Sequence, residues 1–417
     1  MGAAISEGHD VCRFCVTLGY FRGKEATLIR HSVTIVYRFL PRWRADFFGL
    51  LREYLATRAI SLRLIYGHSS GHQVTHRRLK WGDEVDLPWG APVENKLWSA
   101  GPYDFVWQTI AQELLHSDLV ILMQENSILS NHWIRWHTRR RGGKIALWGH
   151  GVNLQARRNG LDRFGDLFKK AYSLNVDWWF AYTHSVARAM VRLGFPEDRI
   201  TPVENAIDTY SLSAERSKQS PESLQRLKTA LSLGRGPVGI YCGGLYKDKR
   251  IEFLLRSAAL IRKQIPTFEL IIIGDGPDAG VIRAFSETQK WVHYVGPQYG
   301  LNRVPYFCLA DICLMPGLVG LGILDSFALE VPMITTAFPY HSPEIEYLEN
   351  GRNGMMTADN LQEFTCGALE VLQGASFREA LRTGCRKSAS HYTLENMANR
   401  FAAGVESAVA VDSRHPA

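Results

Sequence analysis

Between Pro316 and Thr336 the chain reads PGLVGLGILDSFALEVPMITT: a glycine-rich turn, an apolar helical pattern with one acid, Asp325, and a β-rich run. Glycine lets a phosphate approach the backbone closely, and a helix N-terminus adds amide donors and partial positive charge. Gly317, Leu318, Val319, Gly320, Leu321 and Gly322 are therefore expected to form an anion cradle. Asp325, about one turn into the helix, offers two acceptor oxygens to a vicinal diol such as a ribose and suits the positive helix end. A capping or surface role is the simpler alternative for that acid.

Three further glycine-bearing turns follow apolar strand patterns in the same half: Gly243-Gly244, Gly274-Asp275-Gly276 and Gly296. Tight strand-to-helix turns explain any one of them. Together they place four backbone openings at one sheet edge. Lys249 and Arg250 follow the first turn at the head of the next helix and can reach that edge. A departing diphosphate needs such cations in the transition state. In the first half, Glu125-Asn126 and His150 end consecutive strand patterns and are expected to face the same cleft edge. A histidine at a strand end is often structural when taken alone.

The elements that carry these residues alternate strand and helix in two blocks, which implies two parallel sheets covered on both faces. Such sheets bind ligands beyond the carboxyl ends of their strands. The predicted organisation is a loose tail over 1–30, a first domain over 31–207 and a hinge over 208–235. A second domain covers 236–390, and residues 391–417 return to the first. VWQTIAQELLH reads as a helix, and the stretch His68 to Pro102 reads as an excursion with little regular structure.

The chain has 417 residues and a net charge of +7. The charge is uneven: 27 Lys/Arg stand against 19 Asp/Glu up to Asn205, and 21 against 22 thereafter. Ten of the eleven tryptophans also precede Asn205. A basic, aromatic first half suits an anionic partner or, equally, a solubilising surface over a Trp-rich core. HWIRWHTRRRGGK (His132 to Lys144) alternates aromatics and cations and is a candidate for peripheral contact with an anionic membrane. No nucleic-acid recognition module accompanies the charge, and nucleic acid is not an expected partner. No apolar run is long enough to span a bilayer, and a cytoplasmic location is expected, with peripheral contact at the inner face of the membrane. The N-terminus lacks the layout of a secretory signal and fits a myristoylation pattern only loosely. Cys12 and Cys15 have metal or redox spacing without a second pair, so no metal site is expected.

The ordered segments CGGLYKDKR, IIIGDGP, VG, PGLVGLGILDSFALEVPMITT and SPEIEYLENGRNG resemble the retaining glycosyltransferases of family four (glycosyl transferases group 1), which have the GT-B fold. The resemblance is nearly continuous over the second half. It reaches the first half more weakly, through LWGHGVNLQ, VENAID and the helix after HYTLENM. It implies two Rossmann-like, doubly wound parallel-sheet domains facing a cleft. It also implies transfer of a sugar from a nucleotide diphosphate sugar to a lipid-linked or polysaccharide acceptor, with retention and without a metal or other cofactor.

Of the family's two glutamates, eight residues apart, the second falls on Asp325, one methylene shorter, and the first on Gly317. The phosphate-binding arginine and lysine fall on Gly244 and Lys249, with Arg250 the candidate substitute for the arginine. His150 matches the family's acceptor-side histidine, and Glu344 a glutamate beside the donor, although a capping role is as simple. The first β-turn carries Pro41-Arg42-Trp43-Arg44 in place of a glycine loop, and Arg42 and Arg44 are expected to meet anionic acceptor or phosphate. Two alternatives stand beside the transferase: an inactive GT-B protein that binds nucleotide, sugar or membrane, and a non-hydrolysing nucleotide-sugar epimerase.

Overall fold

The computed structural model describes residues 29–69, 84–100, 103–151 and 170–411. The tail with Cys12 and Cys15 lies outside them. The first sheet contains β1 His31–Tyr37, β2 Ile60–Ser69, β3 Ala91–Ala100, β4 Tyr103–Gln108, β5 Leu119–Met123, β6 Lys144–Gly149, β7 Trp178–Ala181 and β8 Ile200–Pro202. Their order is β4-β3-β2-β1-β5-β6-β7-β8, parallel except for the β3–β4 pair. The second sheet contains β9 Val238–Cys242, β10 Glu269–Ile273, β11 Val292–Gly296, β12 Ile312–Met315, β13 Met333–Thr336 and β14 Gly354–Thr357. It is wholly parallel, in the order β11-β10-β9-β12-β13-β14. Runs such as Leu119–Met123 and Ile312–Met315 are buried throughout, as strands covered on both faces must be.

The segment expected as the helix VWQTIAQELLH is instead the end of β4 and a 3₁₀ turn, Gln112–Leu115. Its partner β3 lies inside the stretch expected to be irregular. Pairing decides the outcome: Trp98 stands opposite Phe105 with stacked rings 6.4 Å apart, a cross-strand contact that overrides the local helical spacing. The linker between the domains carries two helices, Thr209–Ser217 and Pro221–Ala230.

The last helix, Leu394–Ala410, crosses back onto the first domain. Phe401 is fully buried there, stacked on Phe180 at 4.1 Å and edge-on to Trp148 and Phe47 at 5.0 and 5.6 Å. The junction of the domains is polar at its centre. Arg44, 1% exposed, donates from Nη2 to Asn205 Oδ1 at 2.7 Å, and Asn205 Nδ2 donates to Glu344 Oε1 at 2.7 Å. Rings of Trp43, Phe47 and Trp148 surround the guanidinium. Arg44 therefore does not meet an acceptor, as its place in the sequence suggested. Burial and its bond to Asn205 commit it to joining the domains.

At the carboxyl edge of the second sheet the turns pack backbone on backbone. A Cβ on Gly274 would stand 1.9 Å from Gly243 O, and one on Gly317 would stand 2.3 Å from Asp248 O. Gly317 is thus required by the approach of the Lys249 loop, whatever ligand the turn receives. Gly320 faces more open space, its nearest neighbour being Ser342 Oγ at 3.6 Å.

Two stability outcomes follow. Phe401→Ala should cost about 3–5 kcal/mol in denaturant unfolding, a cavity in a fully packed site; a loss below about 1 kcal/mol would contradict this packing. Gly317→Ala should cost about 1–3 kcal/mol by overpacking, while Gly320→Ala should stay within about 0.5 kcal/mol of the parent. Equal effects at the two positions would contradict the loop geometry.

Candidate functional site

All four glycine turns lie at one end of the second sheet, since all its strands are parallel. The chain adds β10 and β11 on one side of β9 and β12 to β14 on the other. The crevice between β9 and β12 is therefore the switch point where open α/β sheets take ligands. The Lys249 loop and the turn from Pro316 to Gly322 border it.

The hydrogen bonds of this turn divide it in two. Leu318 N–H donates to Asp248 O at 2.8 Å, and Val319 N–H donates to His341 Nδ1 at 3.0 Å. His341 Nε2 donates in turn to Thr336 O at 2.8 Å. Burial lowers the pKa of this imidazole, which keeps it neutral with Nδ1 free to accept. The amides of Leu318 and Val319 thus serve the protein itself. Those of Gly320, Leu321 and Gly322 have no partner among the described residues, so the open part of the cradle is narrower than the sequence implied.

Lys249 is buried beside this turn, with Nζ donating to Leu318 O at 2.6 Å. Burial pulls its pKa down to about 8. Arg250, in the left-handed region at φ 58°, is paired with Asp359 and packed over Phe253 at 4.3 Å and Phe338 at 5.3 Å. It also reaches Pro316 O at 3.3 Å and Thr336 Oγ1 at 3.4 Å. Arg250 braces the base of the turn and is not the free cation that sequence order suggested. Asp325, 8% exposed, is paired with Arg303 Nη2 at 2.6 Å.

Sequence reasoning missed both Arg303 and His341. Arg303 precedes a Val-Pro helix start, and its partner lies 22 residues away, beyond any local spacing rule. His341 follows Pro339-Tyr340, with no pattern tying it to Val319.

The first domain supplies the opposite wall. His150 follows β6, with its ring 4.3 Å from that of Tyr182 and an open edge toward solvent. Desolvation lowers its pKa, while the charges of Glu344 and Glu125 oppose that shift. Glu344 comes from the second domain and is buried at its bond to Asn205. The fold thus brings His150, Glu344 and Glu125 into one electrostatic neighbourhood across the cleft. Glu125 is also paired with Arg38 at 2.8 Å, and Asn126 is exposed. Arg42 is exposed at the start of the first helix, Arg42–Ala56.

The basic helix Ser130–Arg140 does not alternate outward along its length. Arg135 is buried, donating to Tyr172 O at 3.1 Å, and His137 is buried too. Its solvent face presents Trp136, Arg139, Arg140 and then Arg141, with the Arg140 guanidinium 4.2 Å from the Trp136 ring. Among the described residues, no helix is long and apolar enough to cross a membrane, and no group of three or more His, Cys, Asp or Glu could hold a metal ion.

Comparison with known proteins agrees with this geometry. Residues 236–374 match the family model of glycosyl transferases group 1. Alpha-monoglucosyldiacylglycerol synthase of Acholeplasma laidlawii is 23% identical over 244 residues, 57% of this chain and 60% of that protein. D-inositol 3-phosphate glycosyltransferase of Jonesia denitrificans is 26% identical over 200 residues, 44% of this chain and 46% of that protein. The chain thus matches 46–60% of the length of these two curated relatives. Among solved structures, a glycosyltransferase from Rickettsia africae superposes with a TM-score of 0.64 at 13% identity, over 89% of this chain and 97% of that one. Anabaena HepE in complex with UDP and glucose superposes with a TM-score of 0.61 at 12% identity, over 91% and 100%. At such identities the structural likeness speaks for the fold alone. With two parallel-sheet domains facing one cleft, the chain has the GT-B fold, and residues 236–374 of its second domain are similar to glycosyl transferases group 1.

Proposed function

We propose that this protein transfers a sugar from a nucleoside diphosphate sugar to a hydroxyl of a lipid-linked or saccharide acceptor, with retention of anomeric configuration. The observation that carries the proposal is the buried Lys249 beside three unpartnered amides, Gly320 to Gly322, at the switch point of a group 1 domain. That arrangement meets the charge of a departing diphosphate with one cation and several fixed dipoles, the preorganised form of transition-state stabilisation. Gly243, Gly244, Gly274 and Gly276 shape the backbone around the donor. Asp325 receives the ribose. His150, with Glu344 and Glu125 behind it, orients the sugar or the acceptor hydroxyl, and Asn126 and Arg42 border the acceptor side.

In the transfer itself the bond from the anomeric carbon to the phosphate oxygen breaks. The acceptor oxygen bonds to the same face, and the departing phosphate takes the acceptor's proton. This path asks for no side-chain base and no metal. The name of one relative, alpha-monoglucosyldiacylglycerol synthase, supports a lipid acceptor. The exposed Trp136, Arg139 and Arg140 face supports contact with anionic lipid.

A second reading, binding without transfer, draws on one observation. Gly317 is wedged against the Asp248–Lys249 backbone, so no acidic side chain fits there to contact the sugar. Turnover separates the two readings. Release of nucleoside diphosphate from a panel of nucleotide sugars, with lipid extract or oligosaccharide as acceptor, should appear for one donor; binding without release would favour the second reading.

The role of Lys249 has its own test. Lys249→Ala should weaken nucleoside diphosphate binding by about tenfold or more and leave nucleoside binding nearly unchanged, since a charge-assisted contact contributes about 1.5–3 kcal/mol. Equal losses would sink the phosphate role. The pH dependence has a defined sign. With a free-state pKa of about 8, Lys249 is charged below that value, and a bound diphosphate holds it charged above. Binding then takes up a proton, so affinity should fall as pH rises past 8, by at most about tenfold per unit. The same titration of Lys249→Met should be flat.

A further inference from the structure

Asp325 is not an isolated acid. Its Oδ1 accepts from Arg303 Nη2 at 2.6 Å, and Arg303 Nη1 donates to Gly300 O at 2.6 Å. Both side chains are largely buried, 11% and 17% exposed. Arg303 Nε is buried and has no acceptor among the described residues. A guanidinium carries five N–H donors, and one left unpaired in a buried place has a cost that a ligand oxygen removes. The pair also stands where a nucleotide would lie. A Cβ on Gly322, one turn before Asp325 on the same helix, would stand 4.0 Å from Cys242 O, at the carboxyl end of β9 beside the switch-point crevice.

Resting on the reading given above, we propose that Arg303 is a specificity residue for the ribose of the nucleotide, acting with Asp325 as a donor–acceptor pair for the vicinal diol. With Oδ1 taken by the guanidinium, the other carboxylate oxygen accepts from one ribose hydroxyl. The neighbouring hydroxyl oxygen accepts from Arg303 Nε–H. A diol can satisfy both because each hydroxyl is donor and acceptor at once. A 2′-deoxyribose offers only one hydroxyl and leaves one member of the buried pair unsatisfied. Sites built to hydrogen-bond a hydroxyl reject analogues that lack it far more strongly than apolar pockets reject a missing methylene. Arg303 also holds the short aspartate side chain at a fixed position, which sharpens the discrimination.

The test is calorimetric titration of UDP, GDP and ADP and their 2′-deoxy counterparts into the full-length chain and its variants. The parent should prefer the ribonucleotide that it binds by about tenfold or more. Arg303→Lys and Arg303→Gln should bring the two affinities to within about threefold of each other, mainly by loss of ribonucleotide affinity. In turnover with a ribonucleotide donor, KM should rise more than kcat falls. Since removing the guanidinium leaves a buried carboxylate alone, the double variant Arg303→Gln with Asp325→Asn serves where a single variant fails to fold, and it should show the same loss of preference. An unchanged ribose preference in any folded Arg303 variant overturns the proposal. A parent that binds nucleoside diphosphate without preferring ribose overturns it alone. A parent that binds none overturns the donor-site reading as well.

Discussion

Two opposite charges, Arg44 and Glu344, are buried on different domains and linked only through the amide of Asn205. The amide can serve both in one orientation alone: its oxygen accepts from the guanidinium and its nitrogen donates to the carboxylate. Separating the domains there would break the Asn205–Glu344 bond and strip a buried carboxylate of that donor, which is more costly than breaking a surface ion pair. Around this relay the other junction contacts fall into place. Tyr347 donates to Asn205 O at 3.1 Å, Glu346 accepts from Ser185 N–H at 2.7 Å, and Glu204 gathers His184, His391 and Arg400. The relation of the two sheet ends, and so the width of the cleft, depends on that junction. Glu344 has a place in both systems, since the carboxylate that anchors the relay also acts on His150.

The glycine turns show how closely packing uses the backbone at the candidate site. Gly274 and Gly317 allow one loop to rest on another, and only the segment from Gly320 to Gly322 keeps free amides. The bracing is extensive: Arg250 and Asp359 below, His341 at Val319, and Lys249 at Leu318. Under the proposed reading, a turn held this firmly is preorganised for the diphosphate, and its donors need not be reoriented when charge develops on the leaving group. The same bracing explains why Lys249 tolerates burial. Its ammonium has a carbonyl partner, and its lowered pKa leaves it responsive to an arriving anion.

The alternation of apolar runs with helical spacing was enough to read the two parallel sheets and the edge at which their turns gather. The positions of Lys249, Asp325 and His150 beyond the strand ends were also legible, because each follows a strand pattern at a short offset. The β3–β4 hairpin was not, since Val106, Ile110 and Leu114 have helical spacing and only pairing with a distant segment reveals the strand. Arg44 was misread for a similar reason: its partners lie 161 and 353 residues further along the chain. Arg303 and Arg250 belong to the same class. A cation's partner is set by the tertiary fold, whereas a glycine turn or a buried strand announces itself locally.

The central claim is that the second domain holds a nucleoside diphosphate between Lys249, the Gly320–Gly322 amides and Asp325. Thermal unfolding of the full-length chain with UDP, GDP, ADP and CMP, each alone and as its common sugar conjugates, tests it most directly. A ligand present at about 100 times its Kd stabilises the folded state by about 2.7 kcal/mol, enough to raise the midpoint visibly. The account predicts a clear rise with one nucleoside diphosphate and its sugar conjugate, larger than with the corresponding nucleoside. No rise with any of them would contradict it.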